Sequence, residues 1–342
     1  MPPSQKSSKP RPSEIAADTK RNFIPLINTQ YADTFPPYST LYSQPVLELS
    51  IKRYSTSTQP PIFVVEAGDP AMKAIEYSHR DTEDSLSAGG ARIRVPLICT
   101  ANERRPGGDW ETGSHTYEER LCRRSNLAAT LNTPWPTRRA ESNYPIPSTG
   151  GILSDAVVLC RAADEHYQKL EQWYDLPVIS VPPTRWPKLK DNGLKYSFAE
   201  ERDLIRDKMR GALRICLHNG YHSVVIGDFG LGNAYRNPPT ELAEMWREIF
   251  LFDPDLRGQF RYVAFVFEDV TQSTSQLIME ETLKKEKKNS KALGKPAPPV
   301  LKLLEQRHAP DMAIFAHTFH AGEIQRILRQ PDPRYNLHMI TC

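Results

Sequence analysis

Short apolar runs alternate with helical patterns along the central part of the chain. Each run is bounded by turn residues, as expected of a buried strand. The predicted strands are Pro45–Ile51, Ile62–Glu66, Ile93–Cys99, Ala156–Arg161, Leu176–Val181, Ser223–Gly227 and Tyr262–Glu268. Apolar residues at helical spacing predict helices at Ala71–Ser78, Tyr117–Leu131, Phe198–Asn219 and Thr240–Phe252. Strands and helices that alternate in this way predict an α/β fold, with a mixed sheet flanked by helices on both faces.

Both ends of the chain differ from this central part in composition. Residues 1–20 are rich in Pro and Ser and predict a disordered tail, and residues 21–59 predict an N-terminal extension. The central domain is predicted over residues 60–270, and a charged, Pro-containing C-terminal extension over residues 271–342. Within that extension we predict a charged helix at Glu280–Lys295, a Pro-rich linker at Gly294–Val300 and an apolar docking element at Met312–His320.

The overall composition indicates a globular core with many polar connections. Hydrophobic residues make up 39% of the 342 residues, and the mean hydropathy is -0.54. The chain carries 44 basic and 41 acidic residues, which gives a formal net charge of +3. A balance so close to neutral does not indicate a nucleic-acid-binding surface, so we expect no nucleic-acid partner. The basic run Lys284–Lys288 is typical of a solvated helix face.

Cysteine usage and the placement of apolar runs indicate an intracellular protein, cytoplasmic or nuclear. The first residues lack the apolar core of a secretory signal, and no apolar run approaches the ~18 residues that a membrane span needs. The five cysteines are odd in number and form no CxxC pair. This pattern favours a reduced compartment. No Cys/His spacing matches a zinc site, and we expect neither a metal nor a cofactor.

The stretch Arg105–Arg124 combines two features that can carry chemistry. Gly107 and Gly108 follow a predicted strand end, where glycines let the backbone come close to an anion. Glu118 and Glu119 stand at the start of a predicted helix, and a carboxylate in a closed sugar pocket can act as a general acid on a glycosidic oxygen. Taken singly, the glycines also fit a tight turn, and the acidic pair also fits a helix start.

A second glycine loop, Gly227–Tyr235, lies between a buried strand and a helix. Ligands of α/β sheets bind at the C-terminal ends of strands, where such loops hold phosphates. The loop has neither the GxGxxG spacing nor a GK[ST] ending, so an ATP-binding P-loop is not supported. For this loop alone, a phosphate cradle and a simple turn both stay open. Together, the two loops and the acidic pair describe a pocket for a diphosphate-linked sugar nucleotide.

These residues resemble the microbial-type poly(ADP-ribose) glycohydrolases, a branch of the macrodomain fold. The family has three glycines, a short spacer and then Gln-Glu-Glu. Here Gly107–Gly108–Asp109 is followed at matching spacing by Tyr117–Glu118–Glu119. Ala101–Asn102 resembles a flank of the family motif, and Tyr235–Arg236–Asn237 resembles part of its phosphate loop. The resemblance covers roughly residues 60–270 and implies a macrodomain-like fold.

The resemblance implies a role for each matching residue. Glu119 would be the general acid that protonates the leaving oxygen of the ribose bond, and Glu118 would hold the ribose hydroxyls. The ligand-binding residues would be Asn102, Gly107, Gly108, Asp109, Gly230, Gly232, Asn233 and Tyr235. The last four of these would cradle the phosphates and shield the ribose. The partner would be ADP-ribose or an ADP-ribosylated protein.

Three departures from the family pattern bear on the activity. Asp109 stands in place of the third glycine, Tyr117 in place of Gln, and Cys99–Thr100 in place of an Asn-Phe step. A carboxylate at position 109 either repels the diphosphate or binds a sugar hydroxyl. The leading hypothesis is an ADP-ribosyl glycohydrolase acting on poly- or mono-ADP-ribose. The alternatives are an ADP-ribose-binding reader with little turnover, which Asp109 motivates, and a hydrolase of another ADP-ribose-like nucleotide sugar.

Overall fold

Two compact units make up the chain. The computed structural model describes residues 10–53, 59–113, 116–292 and 308–330, with the side chains of residues 192 and 286–292 excepted. Unit 1 comprises the described residues of Met1–Leu47 and Ala71–Pro182, and unit 2 those of Glu48–Pro70 and Pro183–Cys342. Both units are discontinuous in sequence, and the central domain predicted over residues 60–270 draws on each of them.

Helices and strands alternate along the described chain. In chain order the strands are β1 (Thr40–Tyr42), β2 (Ile62–Ala67), β3 (Leu97–Thr100), β4 (Gly151–Arg161), β5 (Lys169–Val181), β6 (Leu189–Lys190), β7 (Lys195–Tyr196), β8 (Ser223–Ile226) and β9 (Tyr262–Phe267). The α-helices are α1 (Pro12–Asp18), α2 (Ile24–Gln30), α3 (Pro45–Glu48), α4 (Pro70–Ser87), α5 (Tyr117–Arg123), α6 (Leu127–Asn132), α7 (Ala199–His218), α8 (Gly232–Tyr235), α9 (Pro239–Phe252), α10 (Thr274–Ala292), α11 (Asp311–Thr318) and α12 (Ala321–Leu328).

In unit 1 the strands lie in the order β1-β4-β5-β3. β4 pairs antiparallel with β1 and with β5, whereas β3 runs parallel to β5 and places Ile98 opposite Ile179. Leu97, Val158 and Val178 are fully buried in this sheet. The burial of nearly every residue of β3 and β4 explains why these strands read as continuous apolar runs rather than as alternating patterns.

The N-terminal helical segment is part of unit 1. α1 continues through a π-helical turn, Thr19–Phe23, into α2. Ile15 and Ile27 are buried, and the Thr19 hydroxyl donates a hydrogen bond to the Arg123 carbonyl at the end of α5. Composition predicts a disordered tail over residues 1–20, whereas residues 12–20 are helical. The segment is helical rather than disordered because a few apolar side chains, such as Ile15 and Ile27, are buried within unit 1.

Three parallel strands in the order β8-β9-β2 form the sheet of unit 2. Ala264 of β9 lies opposite Val225 on one side and Val64 on the other. The short strands β6 and β7 pair separately as an antiparallel ladder. All of β8 and β9 is buried, which again produces uninterrupted apolar sequences.

An aromatic cluster joins α11 to the sheet of unit 2. The ring centroids of Phe315 and Phe265 lie 5.1 Å apart, and those of Phe319 and Phe265 lie 4.4 Å apart. Trp246 of α9, fully buried, stands 6.2 Å from Phe265. The segment Met312–His320 thus docks on unit 2, as its apolar pattern predicts.

The predicted α/β class with a mixed sheet is confirmed, and two strand predictions change in detail. The strand predicted at Pro45–Ile51 is wrong: α3 forms there, and the Leu49 carbonyl accepts a hydrogen bond from Arg214 of α7 instead of from a neighbouring strand. The strand predicted at Ile93–Cys99 begins only at Leu97. Ile93 is bonded through its main chain to the Thr82 hydroxyl of α4, which holds it away from the ladder.

The helix predicted at Tyr117–Leu131 is two helices, α5 and α6. Between them the chain leaves the helical path and pairs with β4: Ser125 forms a bridge to Leu159, and Asn126 accepts the Val158 N–H at 2.8 Å. Apolar periodicity continues across this break, which is why the sequence shows no boundary. The predicted linker Gly294–Val300 and Cys342 lie outside the described residues.

Within the described residues, no helix combines the length and the apolar character that crossing a membrane requires.

Candidate active site

The first glycine loop begins where β3 ends in unit 1. The Ala101 N–H still bonds to the Val181 carbonyl of β5, at 3.1 Å, and the ladder stops there. The Asn102 side-chain oxygen then accepts the N–H groups of Arg104 and Arg105, at 2.8 and 3.0 Å. An Asn that bonds to main-chain groups two and three residues ahead turns the chain sharply. The turn at the start of the loop is therefore stabilised by hydrogen bonds within the loop itself.

Gly107 and Gly108 allow this loop to lie directly on α5. Their φ angles are +70° and +58°, a region that disfavours residues with a side chain. A Cβ at Gly107 would stand 2.7 Å from Cys122 Sγ, and one at Gly108 would stand 3.2 Å from Glu119 Oε1. The glycines are thus required for close packing against the helix that carries both carboxylates. Their role in shaping a ligand site stays a prediction.

Glu119 connects the glycine loop to the start of α5. One carboxylate oxygen, Oε2, accepts the Thr116 N–H at 2.9 Å, and the other, Oε1, accepts the Asp109 N–H at 3.2 Å. With Thr116 as the N-cap residue, this is a capping box, and the Thr-x-x-Glu spacing that signals one is present in the sequence. The side chain is 4% exposed. Glu119 thus has the ordinary structural role of an acidic residue in a first helical turn, and each of its carboxylate oxygens accepts a main-chain N–H.

Glu118 lies in a more apolar environment than its neighbour. Its Oε2 accepts the Asn102 N–H at 2.7 Å, and its side chain is 2% exposed. Its other oxygen, Oε1, is buried without a hydrogen-bond partner among the described residues. Burial, with a further contribution from the charge of Glu119, raises the pKa of Glu118 to about 8, although the bond from Asn102 opposes the shift. At pH 7 the free protein therefore holds a proton on Glu118.

The carboxylate of Asp109 is engaged in an ion pair. It pairs with the Arg105 guanidinium four residues earlier, and both side chains are about half exposed. Only the main-chain N–H of Asp109 reaches Glu119. The negative charge that replaces the family's third glycine is thus neutralised at the outer side of the loop.

Tyr117 is part of the framework of unit 1. Its hydroxyl accepts the Ala71 N–H in the first turn of α4 at 3.0 Å, and it accepts a hydrogen bond from Arg124 at 3.3 Å. A helix start leaves N–H groups without intrahelical partners, and Tyr117 satisfies one of them. The residue that replaces the family's Gln therefore connects α5 to α4.

The second glycine loop follows β8 in unit 2 and is shaped by neighbouring side chains. The Asn237 side-chain amide donates to the Gly230 carbonyl at 2.8 Å. The Gly232 N–H donates to the Thr274 hydroxyl at 2.7 Å. Asn233 is exposed and its side-chain oxygen accepts a hydrogen bond from Arg236. Because the Gly232 N–H already has a partner, it is not free to bind a phosphate as the sequence suggests. A phosphate-binding role for the rest of the loop stays a prediction.

The structure thus places the predicted residues in two groups. Unit 1 brings together Asn102, Gly107, Gly108, Asp109, Glu118 and Glu119. Unit 2 brings together Gly230, Gly232, Asn233 and Tyr235 on one loop. Sequence reasoning missed Thr116 and Arg105, whose spacings to Glu119 and Asp109 are local signals, and Thr274, whose contact with Gly232 leaves no such signal. No cluster of three or more His, Cys, Asp or Glu side chains suited to a metal occurs among the residues described.

Comparisons with known proteins bear on the family resemblance and on the fold. Residues 39–162 match the family model described as the microbial-type PARG catalytic domain. No curated protein matches the chain at a significant level. Among solved structures, the poly(ADP-ribose) glycohydrolase of Thermomonospora curvata aligns with a TM-score of 0.57 and 19% identity, over 79% of this chain and 98% of that one. The same enzyme bound to the inhibitor ADP-HPD aligns with a TM-score of 0.53 and 18% identity, over the same shares of the two chains.

At these identities the structural likeness establishes the fold, and the family model adds a match in sequence. The matched residues contain the first glycine loop and both glutamates. The chain therefore carries the pattern of the microbial-type PARG catalytic domain over residues 39–162 and shares the fold of a bacterial poly(ADP-ribose) glycohydrolase, which confirms the resemblance seen in its sequence.

Proposed function

We propose that this protein is an ADP-ribosyl glycohydrolase that cleaves O-glycosidic ribose bonds of poly- or mono-ADP-ribose. The observation that carries the proposal is the bonding of two buried carboxyl groups to one glycine loop. Glu118 takes the N–H of Asn102, and Glu119 takes the N–H of Asp109. A buried carboxyl pair in which Glu118 holds a proton at neutral pH, beside a glycine loop, suits acid-assisted cleavage of a glycosidic bond.

The comparisons support this choice of substrate. The family model belongs to the PARG catalytic domain, and one of the solved structures with the same fold is bound to the inhibitor ADP-HPD. We infer that the ligand of this chain is ADP-ribose, free or attached to a protein. An intracellular location is part of the same proposal, and it is supported by four cysteines that are buried and free.

Glu119 is the proposed general acid, and Glu118 is the proposed source of its proton. In the free protein the pair's proton resides on Glu118, because burial raises the pKa of that group to about 8. When ribose hydroxyls donate to the unpartnered Oε1 of Glu118, they stabilise its charged form. Substrate binding thereby releases the proton of Glu118, and Glu119 is the proposed group that takes it up.

Cleavage then follows with protons and charges balanced. Glu119 donates its proton to the bridging oxygen as the bond from the ribose anomeric carbon to that oxygen breaks. The oxocarbenium-like ribose is attacked by water, whose proton returns to the Glu119 carboxylate. The negative charge of Glu118 lies beside the ribose hydroxyls while positive charge develops on the sugar ring, which stabilises the transition state.

The second glycine loop is proposed separately as a phosphate-binding loop. Gly230 and Gly232 carry no side chain, and the exposed side chain of Asn233 adds an amide. Tyr235 is proposed to shield the ribose. Asn237 and Thr274 keep the loop ordered without any ligand. Ligand binding therefore does not have to offset the entropy that is lost when a flexible loop becomes ordered.

The structure removes the observation that motivated the alternative of an ADP-ribose-binding reader with little turnover. It rested on a carboxylate at position 109 facing the diphosphate, but Asp109 pairs with Arg105 at an exposed position.

The experiment that tests the proposal is a comparison of binding and turnover with the wild-type protein. Calorimetry with ADP-ribose and release of labelled ADP-ribose from a modified protein should both be positive. Binding without release would identify a reader, and the absence of both would contradict the proposed ligand.

A further inference from the structure

Arg123 lies about one helical turn after Glu119 on α5 and bonds to the same glycine loop. Residues four positions apart on a helix share a face. Glu119 Oε1 accepts the Asp109 N–H at 3.2 Å, and Arg123 Nε donates to the Trp110 carbonyl at 2.9 Å. The two side chains thus bond to consecutive residues of the loop, one as an acceptor and the other as a donor.

The part of the loop that they hold is a tight turn. The Trp110 N–H donates to the Gly107 carbonyl at 3.2 Å, which closes the turn Gly107–Trp110. Trp110 is buried, and a Cβ at Gly107 would stand 2.9 Å from Trp110 Cδ1. Because the turn is so compact, a bond that fixes the Trp110 carbonyl also fixes the direction of the Asp109 N–H.

The bond from Asp109 sets the position of the Glu119 carboxylate relative to the loop. The other bond to this carboxylate, from the Thr116 N–H at 2.9 Å, is local to the start of α5 and forms with the helix itself. The Asp109 bond depends on where the loop lies, and at 3.2 Å it is the longer of the two. A shift of the loop would therefore reorient the carboxylate, and a general acid that is misplaced by about 1 Å loses much of its effect.

Arg123 itself has little freedom to move. Its side chain is buried, and its carbonyl accepts a hydrogen bond from the buried Thr19 hydroxyl at 2.5 Å. Thr19 belongs to the N-terminal helical segment, which precedes the residues that the family model matches. A buried guanidinium needs hydrogen-bond acceptors to offset its desolvation, and Nε finds one in the loop beside the acidic pair. The loop is thus tied to a side chain that is itself fixed.

We propose that Arg123 is a positioning residue for Glu119. It fixes the Trp110 carbonyl and with it the Asp109 N–H, which holds the Glu119 carboxylate in the orientation that protonates the leaving oxygen. The inference rests on the proposed function, in which Glu119 is the general acid. Arg123 neither transfers a proton nor contacts the ligand, and it acts through the turn Gly107–Trp110. All of these residues belong to unit 1.

The test is a double-mutant cycle on the rate of release. Single-turnover release of ADP-ribose from a labelled ADP-ribosylated protein is measured for wild type, Arg123→Met, Glu119→Gln and the double variant. Arg123→Met should lower the rate per folded molecule by about 10–100-fold when Glu119 is present, and by less than about twofold when Glu119 is already Gln. The dissociation constant for ADP-ribose should stay within about twofold of wild type.

Two companion variants make the cycle specific. Arg123→Lys keeps a cation and a donor at the position, so it should recover part of the lost rate, and it replaces Arg123→Met in the cycle if that variant does not fold. Arg120→Met is the matched control. Arg120 lies on the same helix, but it is partly exposed and lies over the Tyr117 ring, so its replacement should leave the rate of release at the wild-type value.

Each other outcome counts against a different claim. Equal losses from the Arg123 variant with and without Glu119 would overturn the positioning role and leave the proposed function standing. An unchanged rate per folded molecule, or a loss of ADP-ribose binding as large as the loss of rate, would do the same. A Glu119→Gln variant as fast as wild type would remove the general acid and this inference with it. The absence of release by wild type would overturn the proposed function.

Discussion

The Thr274 hydroxyl donates to the buried Asp311 carboxylate at 2.6 Å and accepts the Gly232 N–H at 2.7 Å. Asp311 also accepts the Thr274 N–H, and it is fully buried at the start of α11. A helix that the sequence assigns to a C-terminal extension thus reaches the second glycine loop through a single hydroxyl.

Removing that hydroxyl should destabilise the protein. Thr274→Val keeps the shape of the side chain but leaves the Gly232 N–H without its partner and Asp311 Oδ2 with the Gln272 amide alone, which costs about 1–3 kcal/mol. Thr282→Val is the control, because its hydroxyl bonds only to a carbonyl of its own helix, at Ile278. Urea unfolding of both variants checks this. Equal stability of the two would contradict the role of Thr274.

Glu118 should make stability depend on pH. Its pKa is raised to about 8 in the folded protein, compared with about 4.3 in an unfolded chain. The contribution to stability is therefore complete below about pH 4 and is lost as the pH rises through 8. Glu118→Gln, which resembles the protonated form, should become more stable than wild type as the pH rises from 5 to 8, by roughly 3–4 kcal/mol.

The measurement is denaturant unfolding at several pH values, with Glu111→Gln as control. Glu111 is about half exposed and pairs with Lys20, so its replacement should give a difference that hardly changes with pH. Parallel pH profiles for wild type and Glu118→Gln would contradict the assignment of the buried proton.

Asp109 should matter little to ligand binding. Its carboxylate pairs with Arg105 at an exposed position, and only its main chain reaches Glu119. Asp109→Ala should therefore change stability by less than about 1 kcal/mol. The same variant should leave the dissociation constant for ADP-ribose within about twofold. A tenfold change in calorimetry, in either direction, would place the carboxylate in the ligand site after all.

Gly108→Ala should disturb both the loop and the acidic pair. A side chain at a φ of +58° is strained, and its Cβ would stand 3.2 Å from Glu119 Oε1. We expect a loss of stability of about 1–2 kcal/mol and lower turnover, because the carboxylate must move. Gly220→Ala is the control: its φ is +81°, but open space surrounds the position. It should lose stability without losing turnover per folded molecule.

Local sequence signals predicted much of the framework and of the site. Val225 and Ala264 lie in apolar runs that predicted buried strands, and the first glycine loop and the acidic pair were predicted to belong to one pocket. What the sequence could not reveal depends on distant contacts. The bond from Thr274 to Gly232 joins residues far apart in the chain.

The strand predicted at Pro45–Ile51 failed for the same reason. Its apolar residues fit a strand, but the Leu49 carbonyl is bonded to Arg214, a residue remote in sequence. Two of the three departures from the family pattern also needed a structure, since only contacts show that Asp109 pairs outward and that Tyr117 supports α4.

The account depends most on Glu119 as the group that protonates the leaving oxygen. Release of ADP-ribose from a labelled ADP-ribosylated protein should be measured in single turnover for wild type, Glu119→Gln and Glu111→Gln. Glu119→Gln should retain ADP-ribose binding and lower the rate by about 10²–10⁴-fold, the usual contribution of a general acid, while Glu111→Gln should release ADP-ribose at the wild-type rate. A Glu119→Gln variant that is folded, binds ADP-ribose and releases it as fast as wild type would contradict the account.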